Sequence, residues 1–217
     1  MEKKIIFLDI DGTLMDFEGQ LPESAKMALC QAKAEGHRLV LCTGRVKAQI
    51  YPELLKMNFD GIIASAGAYI ECDGQEIYRH VVEKDKLTRL VEYFENTRTT
   101  YMLQAKEGVF MTERSRTAMA GHFIHMGMTE EKMASYKSGE GSNGEITCAG
   151  ENKATGIRRY VAHIGGDMKD TISIGDGPND MEMLVETAVS IAMGNADSGL
   201  KTMADFVTDD VDQDGLW

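Results

Sequence analysis

Ile5 to Leu8 form an unbroken apolar run that ends directly in Asp9-Ile10-Asp11-Gly12-Thr13. A short continuous apolar run predicts a strand buried on both faces, as in the centre of a parallel sheet. The same pattern returns at Arg38-Leu39-Val40-Leu41-Cys42, at Gly61-Ile62-Ile63-Ala64-Ser65, at Thr171-Ile172-Ser173-Ile174 and at Val189-Ser190-Ile191-Ala192. Amphipathic segments separate these strands. A helix is expected from Leu21-Pro22-Glu23-Ser24 to Gly36, another over Val46 to Met57, and others over 153–164, 180–187 and 196–204, the last leading to Phe206-Val207. The alternation of strand and helix predicts right-handed β-α-β crossovers. Asp73-Gly74, between Tyr69-Ile70-Glu71 and Glu76-Ile77-Tyr78, predicts a hairpin.

The texture changes after about Val82. Residues 84–96 place Leu87, Leu90, Val91 and Phe94 on one helical face. Thr99 to Gln104 and Val109 to Thr112 predict two strands around Lys106-Glu107-Gly108, 113–126 a second helix, and the glycine- and serine-rich 138–144 a loop. The expected fold class is α/β: a doubly wound, Rossmann-like parallel sheet built from residues 1–81 and 148–217, interrupted by a small α+β cap at 82–147.

Composition narrows the function. The chain has 217 residues, 43% of them hydrophobic, and a formal net charge of -12. That balance is ordinary for a globular protein and argues against a nucleic-acid or anionic-membrane partner. Cys30, Cys42, Cys72 and Cys148 form no CxxC pair, which speaks against a zinc site and suits reduced thiols in a cytoplasmic protein. The first apolar run is too short for a signal peptide or a membrane span. Oligomeric state has no signature here.

The candidate chemistry lies at the strand ends. In extended chain, Asp9 and Asp11 point to the same side. Two carboxylates ~5 Å apart repel by roughly 3 kcal/mol at an effective dielectric of about 20, so such a pair calls for a cation or a proton. Thr43 ends the second strand, and Asp176 and Asp180 follow the one at 171–174. Parallel strands bring these ends to one edge of the sheet. A carboxylate cluster with a hydroxyl suits a magnesium-bound phosphoryl group. Each piece alone has a plainer reading: Thr43-Gly44 as a turn, Lys153 as a solvated lysine, Asp180 as a helix cap. Their joint occurrence at successive strand ends is what favours a site. His122 and His125 lie one helical turn apart without a third ligand, and the methionines at 126, 128, 133, 181 and 183 suit core packing.

Asp9-Ile10-Asp11-Gly12-Thr13, Thr43-Gly44-Arg45, Lys153 and Gly175-Asp176-Gly177-Pro178-Asn179-Asp180-Met181-Glu182-Met183-Leu184 together resemble the haloacid dehalogenase superfamily of phosphohydrolases, in particular its Cof-type branch. The resemblance covers about 1–80 and 145–217. It implies a Mg2+-dependent phosphatase acting on a small phosphorylated metabolite such as a sugar phosphate. Asp9 would be the nucleophile and Asp11 the acid–base. Asp9, Asp11 (through its carbonyl) and Asp176 would ligate the metal, supported by Asn179 and Asp180. Thr43, the Gly44 amide and Lys153 would hold the phosphoryl group. Arg45 either contacts substrate or pairs with an acidic neighbour. Two features depart from the branch: Ser65-Ala66-Gly67-Ala68 stands where relatives often carry Ser-Asn-Gly-Ala, and the cap is short. A phosphotransferase or phosphomutase of the same superfamily is the alternative. A receiver-like signalling module shares the ingredients, but here the third strand ends in Ser65-Ala66 rather than in an acceptor aspartate.

Overall fold

A computed structural model of the protein describes residues 2–118 and 148–217. Its main sheet has eight strands in the order β10-β9-β8-β1-β2-β3-β4-β5. The parallel strands are β1 (Ile5–Leu8), β2 (Arg38–Cys42), β3 (Gly61–Ala64), β8 (Thr171–Gly175), β9 (Val189–Ala192) and β10 (Phe206–Val207). The hairpin of β4 (Tyr69–Cys72) and β5 (Gln75–Arg79) adds an antiparallel edge. The fold is therefore the expected α/β class, with a mixed rather than wholly parallel sheet.

Alternate residues of each strand feed two cores. Phe7, Val40, Cys42 and Ile63 pack on one face beneath Ile157, Tyr160 and Val161 of a helix at Lys153–His163, with Met183, Leu184 and Leu200 alongside. Leu8, Leu39, Leu41 and Ile62 pack on the other with Leu29 of α1 (Glu23–Ala34) and Leu54 of α2 (Pro52–Lys56). The central strands are thus buried on both sides, which is why they read as continuous apolar runs.

Several boundaries differ from expectation. The helix expected over Val46 to Met57 is a 3-10 turn, Lys47–Gln49, followed by the short α2. Pro52 causes the split: it sits at the first turn of α2 and holds Tyr51 extended, at φ -56° and ψ 130°. The third strand stops at Ala64, because Ser65 and Ala66 adopt left-handed backbone, at φ 50° and 49°. At the β4–β5 turn, Asp73 and Gly74 both have positive φ, as a tight hairpin requires.

Between β5 and the helix at 153 the described residues hold α3 (Lys84–Asn96), a separate two-stranded sheet of β6 (Met102–Ala105) and β7 (Gly108–Met111), and helical backbone over 113–118. The remainder of the helix expected over 113–126, both histidines His122 and His125, methionines 126, 128 and 133, and the loop 138–144 lie outside the described residues. Among the described residues the remaining helices are α4 (Lys153–His163), α5 (Met181–Glu186) and α6 (Ser198–Met203).

Candidate active site

Strand register sets the site. β1 lies between β2 and β8, with Leu8 level with Leu41 and Ile174. The Asp9 N–H continues the ladder by donating to the Ile174 carbonyl at 3.1 Å. Asp9, Thr43 and Asp176 each lie just beyond the carboxyl end of a strand, at the edge where open α/β sheets bind ligands.

Lys153 enters from the first turn of α4. Asn152 caps that helix by accepting from the Thr155 N–H at 2.8 Å, while Thr155 Oγ1 accepts from the Asn152 N–H at 3.0 Å. A helix N-terminus is a poor place for a buried cation. Lys153 is nevertheless only 1% exposed. It is held by donating to Asp9 Oδ1 at 2.5 Å and to Asp180 Oδ1. Burial alone would lower the ammonium's pKa, but Asp9 and Asp180 outweigh it and hold Lys153 above its ordinary range.

Asp180 is fully buried, and both its oxygens are engaged. Oδ1 meets Lys153, and Oδ2 accepts from the Asp176 and Gly177 N–H groups at 3.0 Å each. It therefore shapes the loop that carries Asp176. Asp9, Asp176 and Asp180 each offer an oxygen within 4.8 Å of the others, and they are the one such group found among the described residues.

Three carboxylates thus face one ammonium. The mismatch shows in their acidity. Burial pushes Asp9 up to about 7 against the pull of Lys153, with Asp180 adding to the rise. Burial, then Asp180, pushes Asp176 up to about 6. A site that raises two carboxyl pKa values is short of positive charge, and a divalent cation with a preference for carboxylate oxygen meets that need. The donor set, all oxygen and without thiol or imidazole, fits a hard divalent cation such as Mg2+, Mn2+ or Ca2+ rather than a softer metal.

Gly12 makes the approach possible. Its φ is +79°, and a Cβ there would stand 2.1 Å from Asp176 Oδ2. Only glycine lets the turn after Asp11 pass so close to that carboxylate.

The Asp11 side chain takes no part in the acidic group. Its carboxylate is gripped by Arg45, Nε to Oδ2 and Nη2 to Oδ1, at 2.6 Å each. The carboxylates brought together are those of Asp9, Asp176 and Asp180; the Asp11 side chain, whose expected part in a metal site is through its backbone carbonyl, lies outside that group and pairs with Arg45. Arg45 also donates to the Gln49 carbonyl and to Tyr51 Oη, and it lies over the Tyr51 ring at 4.6 Å. Of its two expected roles, this structure shows the pairing with an acidic neighbour. Thr43 is buried, and its Oγ1 accepts from the Arg45 N–H at 3.1 Å across Gly44. Asn179 is exposed and shares with Lys153, Ala66, Cys148 and Glu182 a cleft of about 360 Å³. A larger cavity of about 460 Å³ near Leu54 and Phe59 includes none of the clustered carboxylates.

Two residues escaped the sequence reading. Thr13 Oγ1 donates to Asp176 Oδ1 at 3.4 Å, and Asn195 Nδ2 reaches both the Gly12 carbonyl at 2.8 Å and Asp176 Oδ2 at 3.4 Å. Thr13 stood inside a quoted motif without a role. Asn195 follows β9 in Met193-Gly194-Asn195-Ala196, and its polar position just past a buried strand was the available signal.

Carboxylates gathered at this edge of a mixed α/β sheet make a site suited to a cation and the anionic ligand it would hold. The chain belongs to the haloacid dehalogenase-like hydrolases: the family model matches residues 6–138 and 123–217, two stretches that overlap at 123–138. It is an enzyme of the Cof-type branch that acts on phosphoesters. It is 27% identical to YkrA of Bacillus subtilis (strain 168), whose phosphatase designation is provisional, with 100% of this chain and 96% of that protein covered. The alignment runs over 260 residues, so YkrA carries residues that this chain lacks. The fold superposes on the HAD subclass IIB sugar phosphatase BT4131 at a TM-score of 0.76, with 27% identity over 98% of this chain and 96% of that one. It superposes on BT1666 from Bacteroides thetaiotaomicron, a phosphatase of the same superfamily, at 0.82, with 27% identity over 99% and 92%. Among the described residues, no helix is long and apolar enough to cross a membrane.

Proposed function

We propose that this enzyme is a Mg2+-dependent phosphatase of small phosphomonoesters, sugar phosphates or related metabolites, working through an aspartyl-phosphate on Asp9. The observation that carries the reading is the buried Asp9 held by Lys153 beside Asp176 and Asp180. The printed role of BT4131 as a sugar phosphatase favours that substrate class. Asp9 and Asp176 would hold the ion, with Asp180 positioning them, and the ion would supply charge neutralisation for the phosphoryl oxygens.

In the first step an Asp9 oxygen attacks phosphorus, the ester P–O bond breaks, and the leaving oxygen takes a proton from Asp11. In the second, Asp11 takes a proton from water, the resulting hydroxide attacks phosphorus, and the Asp9–phosphorus bond breaks to release inorganic phosphate. Lys153 balances the charge that builds on the transferring group, and Thr43 with the Gly44 amide binds its oxygens. Protonating Asp11 replaces an acceptor by a donor, so one arm of the Arg45 fork loosens as Asp11 takes up its proton. An incoming phosphate is the natural new partner for that guanidinium.

Residues 82–147 form the cap over a core of 1–81 and 148–217 in this reading. Support comes from the separate β6–β7 sheet and α3 within that span. Phosphate release from a panel of phosphomonoesters, with Mg2+ and with EDTA, tests the function. Turnover is expected with Mg2+ alone and is lost in Asp9→Asn. Full turnover in EDTA, or in Asp9→Asn, overturns the proposal.

A further inference from the structure

We propose that Asn195 is a positioning residue for the metal-binding carboxylate Asp176, and that it makes the carboxy-terminal turn at Val211 part of the metal site. The inference rests on the magnesium reading above. It starts from three contacts of one side chain. Asn195 Nδ2 donates to the Gly12 carbonyl at 2.8 Å and to Asp176 Oδ2 at 3.4 Å, and Oδ1 accepts from the Val211 N–H at 2.8 Å. The partners fix the amide's orientation. A backbone N–H can only donate, so the oxygen faces Val211 and the nitrogen faces the carbonyl and the carboxylate.

No other residue type does this as well in that space. Aspartate keeps the bond to Val211 but has nothing to donate to Gly12 or Asp176. Serine is too short to reach three loops. Lysine would bring to Asp176 a positive charge that competes with a metal ion. The neutral donors Asn195 and Thr13 hold the Asp176 carboxylate in place and leave its charge for a cation. Lys153 is committed elsewhere, to Asp9 and Asp180.

The surrounding backbone ties the same parts together. The Met193 N–H donates to the Gly175 carbonyl at 3.0 Å, and the Asp197 N–H to the Asp176 carbonyl at 3.1 Å. The Gly194 N–H donates to the Asp209 carbonyl at 2.9 Å. Gly194 must be glycine here, since a Cβ would lie 2.5 Å from the Asp209 backbone. Val211 is buried in the core beside Met193. The segment after β9 thus clamps the loop of Asp176 on one side and the 209–211 turn on the other, with Asn195 as the link that reaches Gly12. Outer partners that orient a metal's ligands commonly change its affinity by about 10–100-fold when lost.

The test is direct metal binding. Mg2+ affinity of wild-type protein and of Asn195→Leu, which keeps the branched outline of the side chain and removes the polar atoms, is measured by calorimetry and checked with Mn2+ by electron paramagnetic resonance. The variant is expected to bind both ions about 10–100-fold more weakly, and to melt lower in EDTA as well, because the Val211 N–H and the Gly12 carbonyl lose their partner. A merely structural role would lower the melting temperature and leave the affinity unchanged, and that result overturns the proposal. Wild-type protein that binds no divalent ion would instead sink the magnesium reading itself. Hydrogen exchange on wild type gives a measurement independent of any variant's folding. Mg2+ should slow exchange of the Val211 amide at least threefold, and an unchanged rate overturns the link to the turn.

Discussion

Arg45 holds both carboxylate oxygens of Asp11, at 2.6 Å each, while Asp9, two residues earlier, is held by Lys153. Neighbouring carboxylates at the end of one strand are thus assigned to different cations by their surroundings. This is how one of two like groups can serve as nucleophile and the other as proton carrier. The fork is geometric as well as ionic. Arg45→Lys keeps the charge but replaces two aligned N–H donors by a point charge. kcat/KM toward an aryl phosphate should fall by about 10–100-fold, or ~1.4–2.7 kcal/mol. Steady-state kinetics decide the matter, and an unchanged value would show that the fork does not place Asp11.

Lys153 is buried against two carboxylates, so its removal leaves charge without compensation. Lys153→Met should destabilise the metal-free protein at pH 8 by about 3–5 kcal/mol, the usual scale for breaking a buried ion pair from one side. The loss should shrink at pH 5.5, where protonation of Asp9 relieves it. Urea unfolding in EDTA at the two pH values measures both. A loss that is the same at both would mean that Lys153 stabilises by packing its alkyl stem rather than by charge.

With Asp9 and Asp176 as the proposed metal ligands, acidity and metal binding should be linked through them. Folded, these groups titrate near about 7 and about 6, above the ordinary aspartate value of 3.8. Between those limits the metal-free folded protein holds protons that the unfolded chain has released. Their contribution therefore favours folding at low pH and is lost as pH rises through 6 to 7. A divalent ion must displace the same protons. The rise in melting temperature produced by Mg2+ over EDTA should accordingly be larger at pH 8 than at pH 5.5. Taking that difference at each pH removes the influence of carboxylates remote from the ion. A larger rise at pH 5.5 would contradict the assignment of these two ligands.

Much of this site was legible because its chemistry sits at strand ends. Apolar runs that stop at Asp9, Cys42 and Gly175 announce both the strand and the edge. What stayed hidden depends on side-chain direction. Period-two geometry puts Asp9 and Asp11 on one side, yet the turn after Leu8 leaves the strand conformation and Arg45 takes Asp11 away. The loop 176–180 taken alone reads as a helix cap for Asp180, and the family resemblance makes Asp180 a support of the metal site. In the structure its carboxylate instead accepts from the loop amides of Asp176 and Gly177 and meets Lys153 of α4, a helix on the same face of the sheet. Asn195 was out of reach for the same reason, since its partners lie 183, 19 and 16 residues away in the chain. Pro52 was visible, but its helix-splitting effect lost out to the apolar spacing of the segment around it.

The inserted segment bears on substrate breadth. YkrA aligns over more residues than this chain possesses, and the two stretches of the family match meet within 123–138. On the proposed reading of 82–147 as a short cap, less of the substrate would be enclosed, and lids confer selectivity by fixing substrate and excluding water. Discrimination among phosphomonoesters should therefore be shallow, with several substrates within about tenfold in kcat/KM, a spread of ~1.4 kcal/mol. Hexose phosphates should stand slightly ahead. β7 packs against the 47–49 turn that follows Arg45, and Lys106 pairs with Glu76 of β5 at 2.8 Å, so the hairpin already rests on the core. Lys106→Glu should loosen that contact and alter KM for the larger substrates more than for an aryl phosphate. The measurement is kcat/KM across the panel for both proteins, at saturating Mg2+ and with the oligomeric state fixed by light scattering. One substrate preferred by more than ~1,000-fold, about 4 kcal/mol, in a monomeric protein would refute the open site.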